Sequence, residues 1–212
     1  MSNPTDLRSR KRLATRQAIS VAATKLFLAR GFEHVTVDEI AAAADVGRMT
    51  VFNHFPRKED MFFDRDEEGR AALREALRRR DQRVAPIEAL RLLAHRLVAQ
   101  GSPWLEFSDA SQGFVAMIAA SASLQARARA IRDEIARDVA LALAESVGRT
   151  PDDAAAELAA GLLLATWAVA LQQAHRCFGQ RRDSQAAQAL FLALVDKGSR
   201  GVVAAMHGTP YA

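Results

Sequence analysis

The chain has 212 residues, half of them hydrophobic, with a formal net charge of +4 and a sequence pI of about 9.8. That is enough apolar material for one large domain or a small domain fused to a larger one, and the modest basic excess fits a nucleic-acid partner without requiring one. Sparse glycine and proline with abundant alanine, leucine and arginine argue against a sheet and for an all-α fold, and the single cysteine, Cys177, excludes an intrachain disulfide and fits a reducing cytoplasm.

Residues 1–7 read as disordered, polar and without the apolar run of a signal peptide. A basic cluster follows, Arg8, Arg10, Lys11, Arg12 and Arg16, which suits either a solvated helix start or a phosphate-contacting arm. The first helix is predicted from about Ser9 to Arg30, with Ile19, Ala22, Ala23, Leu26 and Phe27 on one face and Gly31 as a left-handed cap. Thr36 and Glu39 form a T-x-x-E capping box, and Val35 and Ile40 occupy the positions of a hydrophobic staple. A short helix over Val37–Ala44 is interrupted by Asp45-Val46-Gly47, and another follows from Arg48 to Phe55, ended by Pro56.

Lys58 is expected to open a helix reaching about Arg80, and Pro86 to start the next, with Leu90, Leu93, Ala94, Leu97 and Val98 as its apolar stripe. Residues 101–112 read as irregular, followed by helices from about Gly113 to Ala122 and from Leu124 to Val147. Thr150-Pro151-Asp152 reads as an N-cap with proline in the first helical position. The helix it opens is uncharged from Leu158 to Leu171, shorter than the roughly 20 residues that span a bilayer. It is expected to be buried by its own core on one side and a partner subunit on the other, with no membrane involved. A last helix is predicted from Ser184 to Met206, where Gly198 and Gly201 permit close backbone approach.

Two short helices joined by a tight turn make a helix-turn-helix, whose second helix lies in the major groove of DNA. Here that helix is Arg48 to Phe55. Val51 and Phe55 can face the core with Ile40 and Val46, leaving Arg48, Met49, Thr50, Phe52, Asn53 and His54 outward. Arginine can pair with guanine and asparagine with adenine through two hydrogen bonds each. Thr50 and His54 suit phosphates or bases, Lys58 suits the DNA backbone, and Thr36 at a helix N-terminus suits a phosphate. Phe52 fits equally a DNA contact or a core position beside Phe55.

The stretch V-T-V-D-E-I-A-A-A-A-D-V-G-R-M-T-V-F-N-H-F-P-R-K-E-D, residues 35–60, resembles the N-terminal domain of TetR-family transcriptional regulators, as does the preceding R-G-F at 30–32. The resemblance covers roughly residues 10–62. It implies a three-helix DNA-binding domain at 8–57, followed at 58–212 by a domain of about six helices for ligand sensing and dimerisation. It also implies a homodimer through a four-helix bundle, here residues 151–177 and 184–206. Carried over by position, the DNA contacts are Thr36, Arg48, Thr50, Phe52, Asn53, His54 and Lys58, with Met49 beside them on the exposed face. Two positions depart from the family pattern: Phe52 lacks the hydroxyl of a common tyrosine, and Gly47 replaces a common capping serine.

No H-E-x-x-H, G-x-S-x-G, P-loop or G-x-G-x-x-G is present, and the five histidines lack metal-ligand spacing, so neither an enzyme, a metal nor a cofactor is expected. The rival reading is a helical small-molecule-binding protein or enzyme with an incidental helix-turn-helix. The favoured one is a cytoplasmic, homodimeric repressor released from a palindromic operator by a small, mainly apolar effector. Candidate pocket residues are Trp104, Phe107, Phe114, Met117, Trp167 and Phe178, with His95, Gln112, Thr166, Gln172 and His175 as polar anchors; each apolar one also suits ordinary core.

Overall fold

The computed structural model describes residues 4–212, with side chains from Arg8 onward. It is all-α. The chain forms two compact units, one made of the residues up to Asp66 together with Gly113–Arg127, the other of Glu67–Gln112 and Ala128–Ala212.

In the first unit, α1 spans Pro4–Arg30, α2 Val37–Ala43, α3 Arg48–His54 and α4 Lys58–Phe62. Helix α1 begins five residues ahead of the expected Ser9, so residues 4–7 are helical in backbone; of the segment expected to be disordered, 1–3 lie outside the described residues. Its apolar stripe is buried as the periodicity requires, with Ile19 and Ala23 fully inside and Phe27 nearly so. Gly31, at φ +80°, ends it, its N–H donating to Phe27 O at 2.8 Å.

The capping box of α2 is complete. Glu39 N donates to Thr36 Oγ1 at 3.2 Å, and Thr36 N donates to Glu39 Oε2 at 2.8 Å. A cap of this kind stabilises by about 1 kcal/mol. In the turn to α3 the left-handed residue is Asp45, at φ 52°, and Gly47 instead caps α3 from an extended conformation. Aspartate tolerates this region because its short polar side chain can bond locally. Val46 N closes the turn onto Ala41 O at 3.0 Å.

The core of this unit is aromatic. Phe27, Phe32 and Phe62 meet with ring centroids 5.0–6.0 Å apart, and Phe62 stacks on Phe114 at 4.0 Å. Val35, Ile40, Val51, Phe55 and Leu124 complete it.

The helix expected from Lys58 to Arg80 is two helices, α4 and α5 (Asp66–Arg78), broken at residues 63–65. The break lets adjacent aromatics both pack. Phe62 and Phe63 lie edge-on at 5.1 Å, Phe63 also meets the edge of Phe114, and Asp64 accepts a hydrogen bond from Ser20. Consecutive residues of an unbroken helix point about 100° apart and would pull one ring away. This division raises the count after α3 to seven α-helices, against the six or so expected.

The remaining helices are α6 Pro86–Ala99, α7 Asp109–Ala120, α8 Ala122–Ser146, α9 Ala154–Arg181 and α10 Ser184–Ala205. The region expected to be irregular, 101–112, holds a single 3-10 turn at Pro103–Leu105 and the first turn of α7. Helix α9 starts later than its Thr-Pro-Asp signal. Thr150 is engaged by the Asp152 carboxylate, and Asp153 Oδ1 accepts from Ala156 N at 2.9 Å as the actual cap. Against α10, Gly198 makes room for Thr166: a Cβ there would stand 2.2 Å from Thr166 Cγ2. Gly201 faces open space in this chain, so the second expected close approach is not made here.

Candidate nucleic-acid interface

Helix α3 is held by its inner face. Val51 and Phe55 are 0% and 1% exposed, Ile40 backs them, and Val46 packs at the edge. The opposite face stands out: Arg48, Met49 and Asn53 are exposed, Met49 by 70%. Thr50, Phe52 and His54 are half-buried at its flanks.

Arg48 is parked rather than idle. Its Nη1 lies 2.8 Å from Asp38 Oδ2, and its guanidinium sits 5.5 Å from the Phe52 ring centre. Both partners of the ion pair are exposed, so it is worth at most about 1 kcal/mol. A bidentate arginine–guanine contact discriminates by about 1–3 kcal/mol, so the pair does not prevent Arg48 from turning to a base. Phe52 lies beneath that guanidinium and outside the set of residues that form the core with Phe55.

Thr36 and Lys58 have internal partners. The Thr36 hydroxyl donates to Glu39 Oε2 at 2.9 Å while accepting from Glu39 N. Glu39 is tied further to Arg30 at 2.7 Å, and its bonds to the Thr36 backbone and to Arg30 hold its carboxyl at about pKa 2. Lys58 Nζ donates to Phe32 O at 3.0 Å and Val35 O at 3.1 Å and lies 4.1 Å from the Phe32 ring centre. It joins the α1–α2 turn to the start of α4. An ammonium has three donors, so one remains beyond those two carbonyls.

At the C-terminal end of α3, Arg16 Nη1 donates to His54 O at 2.7 Å, and its guanidinium lies 4.0 Å from the Phe55 ring centre. A cation at this end complements the helix dipole. Burial, then Arg12 and Arg16, lower the His54 pKa, which favours the neutral ring. Beside it lies a cleft of about 180 Å³, lined by Arg16, His54, Phe55, Pro56, Asp60, Phe63, Asp66 and Arg127. Arg127 Nε donates to Asp60 Oδ1 at 2.8 Å. Mixed charge and small size make this cleft a poor host for an apolar molecule.

The eleven pocket candidates divide between the units. Phe114 and Met117 pack in the first unit's core around Phe62, and the other nine belong to the second. There Phe107, Phe178 and Trp167 share one apolar cluster with Phe191. Phe107 meets the His175 ring edge-on at 5.0 Å, and Trp167 meets Phe191 at 5.8 Å. Trp104 lies against Gly69, where a Cβ would fall 2.3 Å from its ring, and Gln172 is exposed. Among the described residues no group of three His, Cys, Asp or Glu is placed to hold a metal ion.

His175 is the polar atom in this apolar setting. Its Nδ1 is buried without a partner, and burial depresses its pKa. A histidine kept neutral in the fold favours the unfolded chain once that chain protonates. Stability is therefore expected to be full above the unfolded value near 6.5 and to fall as pH drops below it. Thermal denaturation from pH 7.5 to 5 should show this slope, and His175→Gln should reduce it, leaving the part of the same sign that His54 contributes; an equal slope in both would refute the assignment.

The stretch of sequence that carries this helix is similar to that of known proteins. Residues 19–64 match the profile of the bacterial regulatory proteins of the tetR family. Over that stretch the chain is similar to the N-terminal domain of this family. The N-terminal region is 46% identical over 59 residues to the HTH-type transcriptional regulator TcmR of Streptomyces glaucescens; the match covers 28% of this chain and 26% of TcmR's length. The fold likeness is far longer. The TetR-family repressor FadR of Thermus thermophilus, solved with lauroyl-CoA, superposes with a TM-score of 0.56 at 26% identity, over 89% of this chain and 93% of FadR. SmeT, repressor of the Stenotrophomonas maltophilia efflux pump SmeDEF, shares the fold with a TM-score of 0.53 at 22% identity, over 90% and 89%.

Proposed function

We propose that this chain is a TetR-family, sequence-specific DNA-binding transcription repressor that leaves a palindromic operator when a small, mainly apolar molecule binds its second unit. The observation that carries the reading is α3 itself. Its inner face is locked into an aromatic core while Arg48, Met49 and Asn53, with Thr50, Phe52 and His54 at the flanks, are offered outward. In this reading Arg48 and Asn53 read base edges, and Thr50, His54 and Thr36 lie against the sugar–phosphate backbone with the third donor of Lys58.

The dimer is proposed through α9 and α10. Leu158, Leu162 and Val169 on α9 and Val203 on α10 are 37–54% exposed, although they are large apolar side chains on two long apolar helices. Helix α9 is long and apolar enough to cross a bilayer by length and composition, with 28% of its most apolar window buried within the chain. A second copy supplies the missing cover, because Leu158, Leu162 and Val169 recur at helical spacing beside the α10 packing face. That removes any need for lipid and suits a cytoplasmic protein.

The ligand is proposed to enter among Phe107, Trp167, His175 and Phe178, with Trp104 and Gln172 nearby. FadR, of similar fold, holds a fatty-acyl thioester. To act as a switch the molecule must bind the released state more tightly than the DNA-bound one.

The test is fluorescence anisotropy at physiological salt, comparing duplexes from the chain's own upstream region with scrambled duplexes. The expected preference is on the order of 1,000-fold or more. Equal affinity for both would overturn the function. A thermal-shift panel in which only highly charged metabolites stabilise the protein would overturn the ligand class.

A further inference from the structure

Helix α1 carries two different stripes on one face. Along Ile19, Ala23 and Phe27 the face is apolar and buried. Three residues before Ile19 the same face continues with Arg16, and then at four-residue steps with Arg12 and Arg8. Residues Arg8 to Ala14 are all exposed, so this stretch stands clear of the core that holds the second half of the helix. No acidic residue occurs between Asp6 and Glu33, a stretch with Arg8, Arg10, Lys11, Arg12, Arg16, Lys25 and Arg30.

The direction of this basic stripe is fixed by contacts at one end. Arg16 bonds the last carbonyl of α3, and Arg12 and Arg16 both act electrostatically on His54. The stripe therefore runs outward from the C-terminal end of the reading helix. At 1.5 Å per residue, Arg8 lies about 12 Å beyond Arg16 along the axis. Duplex DNA carries a negative charge for about every 1.7 Å of its axis, so a rod of this length passes several phosphates.

We infer that Arg8 and Arg12 form a second contact surface for duplex DNA, gripping the sugar–phosphate backbone beside the bases that α3 reads. This rests on the DNA-binding function proposed above and extends it beyond the helix-turn-helix. Guanidinium groups suit phosphate because they donate in a planar fork. Contacts to phosphate add affinity without adding sequence preference.

The experiment measures the salt dependence of binding by anisotropy, on the upstream duplex and on a random-sequence duplex of equal length. It compares wild type with Arg8→Ala/Arg12→Ala and Arg8→Lys/Arg12→Lys, and circular dichroism checks that each variant keeps its helix content and melting temperature. Each lost phosphate contact lowers the magnitude of the log K against log salt slope by about 0.9, so the alanine pair should lower it by about 2. The lysine pair should keep most of it, and the ratio between the two duplexes should stay the same. An unchanged slope in a folded alanine variant would overturn the inference, as would a changed ratio, which would mean base reading. Wild type that binds neither duplex would instead remove the DNA-binding function on which the inference stands.

Discussion

Replacing Arg48 and Asn53 together by alanine is expected to weaken binding to the upstream duplex by at least about 30-fold while leaving the fold intact. Each bidentate side chain–base pair discriminates by about 1–3 kcal/mol, so the pair accounts for roughly 2–6 kcal/mol. Neither residue is in the core, and the ion pair that Arg48 gives up with Asp38 is an exposed one. Binding to random-sequence DNA should change little, because it depends on phosphate contacts that these residues do not dominate. Anisotropy on both duplexes separates the outcomes. Unchanged affinity for the upstream duplex would remove α3 from the site, and an equal loss on both would make Arg48 a backbone contact.

The second large effect is on stability. Phe27→Ala should cost about 3–5 kcal/mol, the range for deleting a large buried aromatic. Phe27 is 2% exposed and sits at the meeting point of Phe32 and Phe62, with centroids at 5.0 and 6.0 Å. No flexible neighbour lies in that trio to refill the space, since all three rings are held by the helices and turns that carry them. A loss of this size is a large part of a domain's net stability. Denaturant unfolding followed by circular dichroism measures it, because both tryptophans, Trp104 and Trp167, lie in the second unit and report poorly on the first. A cost under 1 kcal/mol would show that this core collapses around the gap and that the aromatic cluster is less rigid than its geometry implies.

What was legible in the sequence was what short-range chemistry decides. The Thr36–Glu39 box, the Val35–Ile40 staple and Gly31 each act within a few residues, so α1, α2 and α3 emerged at nearly their observed positions. The inward pair Val51 and Phe55 followed from helical spacing alone. The partners of Lys58 are carbonyls 26 and 23 residues away, and no local pattern marks a lysine as a tie between turns. Phe114 and Met117 look like pocket residues in sequence because they sit on an apolar helix. Their place in the first unit depends on Phe62, fifty-two positions earlier than Phe114, through a ring stack that periodicity does not encode. The break at residues 63–65 has the same origin, since helix propensity was satisfied there and tertiary packing overrode it. Arg16 was visible as charge, but its role as a cap on α3 needed the fold.

The account is tested most directly by hydroxyl-radical footprinting of the purified protein on DNA from its own upstream region. Two protected patches should face the same side of the duplex, centred about 34–36 Å apart or a multiple of that, one for each α3 of a dimer. Protection confined to a single patch, or none even at low salt, would contradict it.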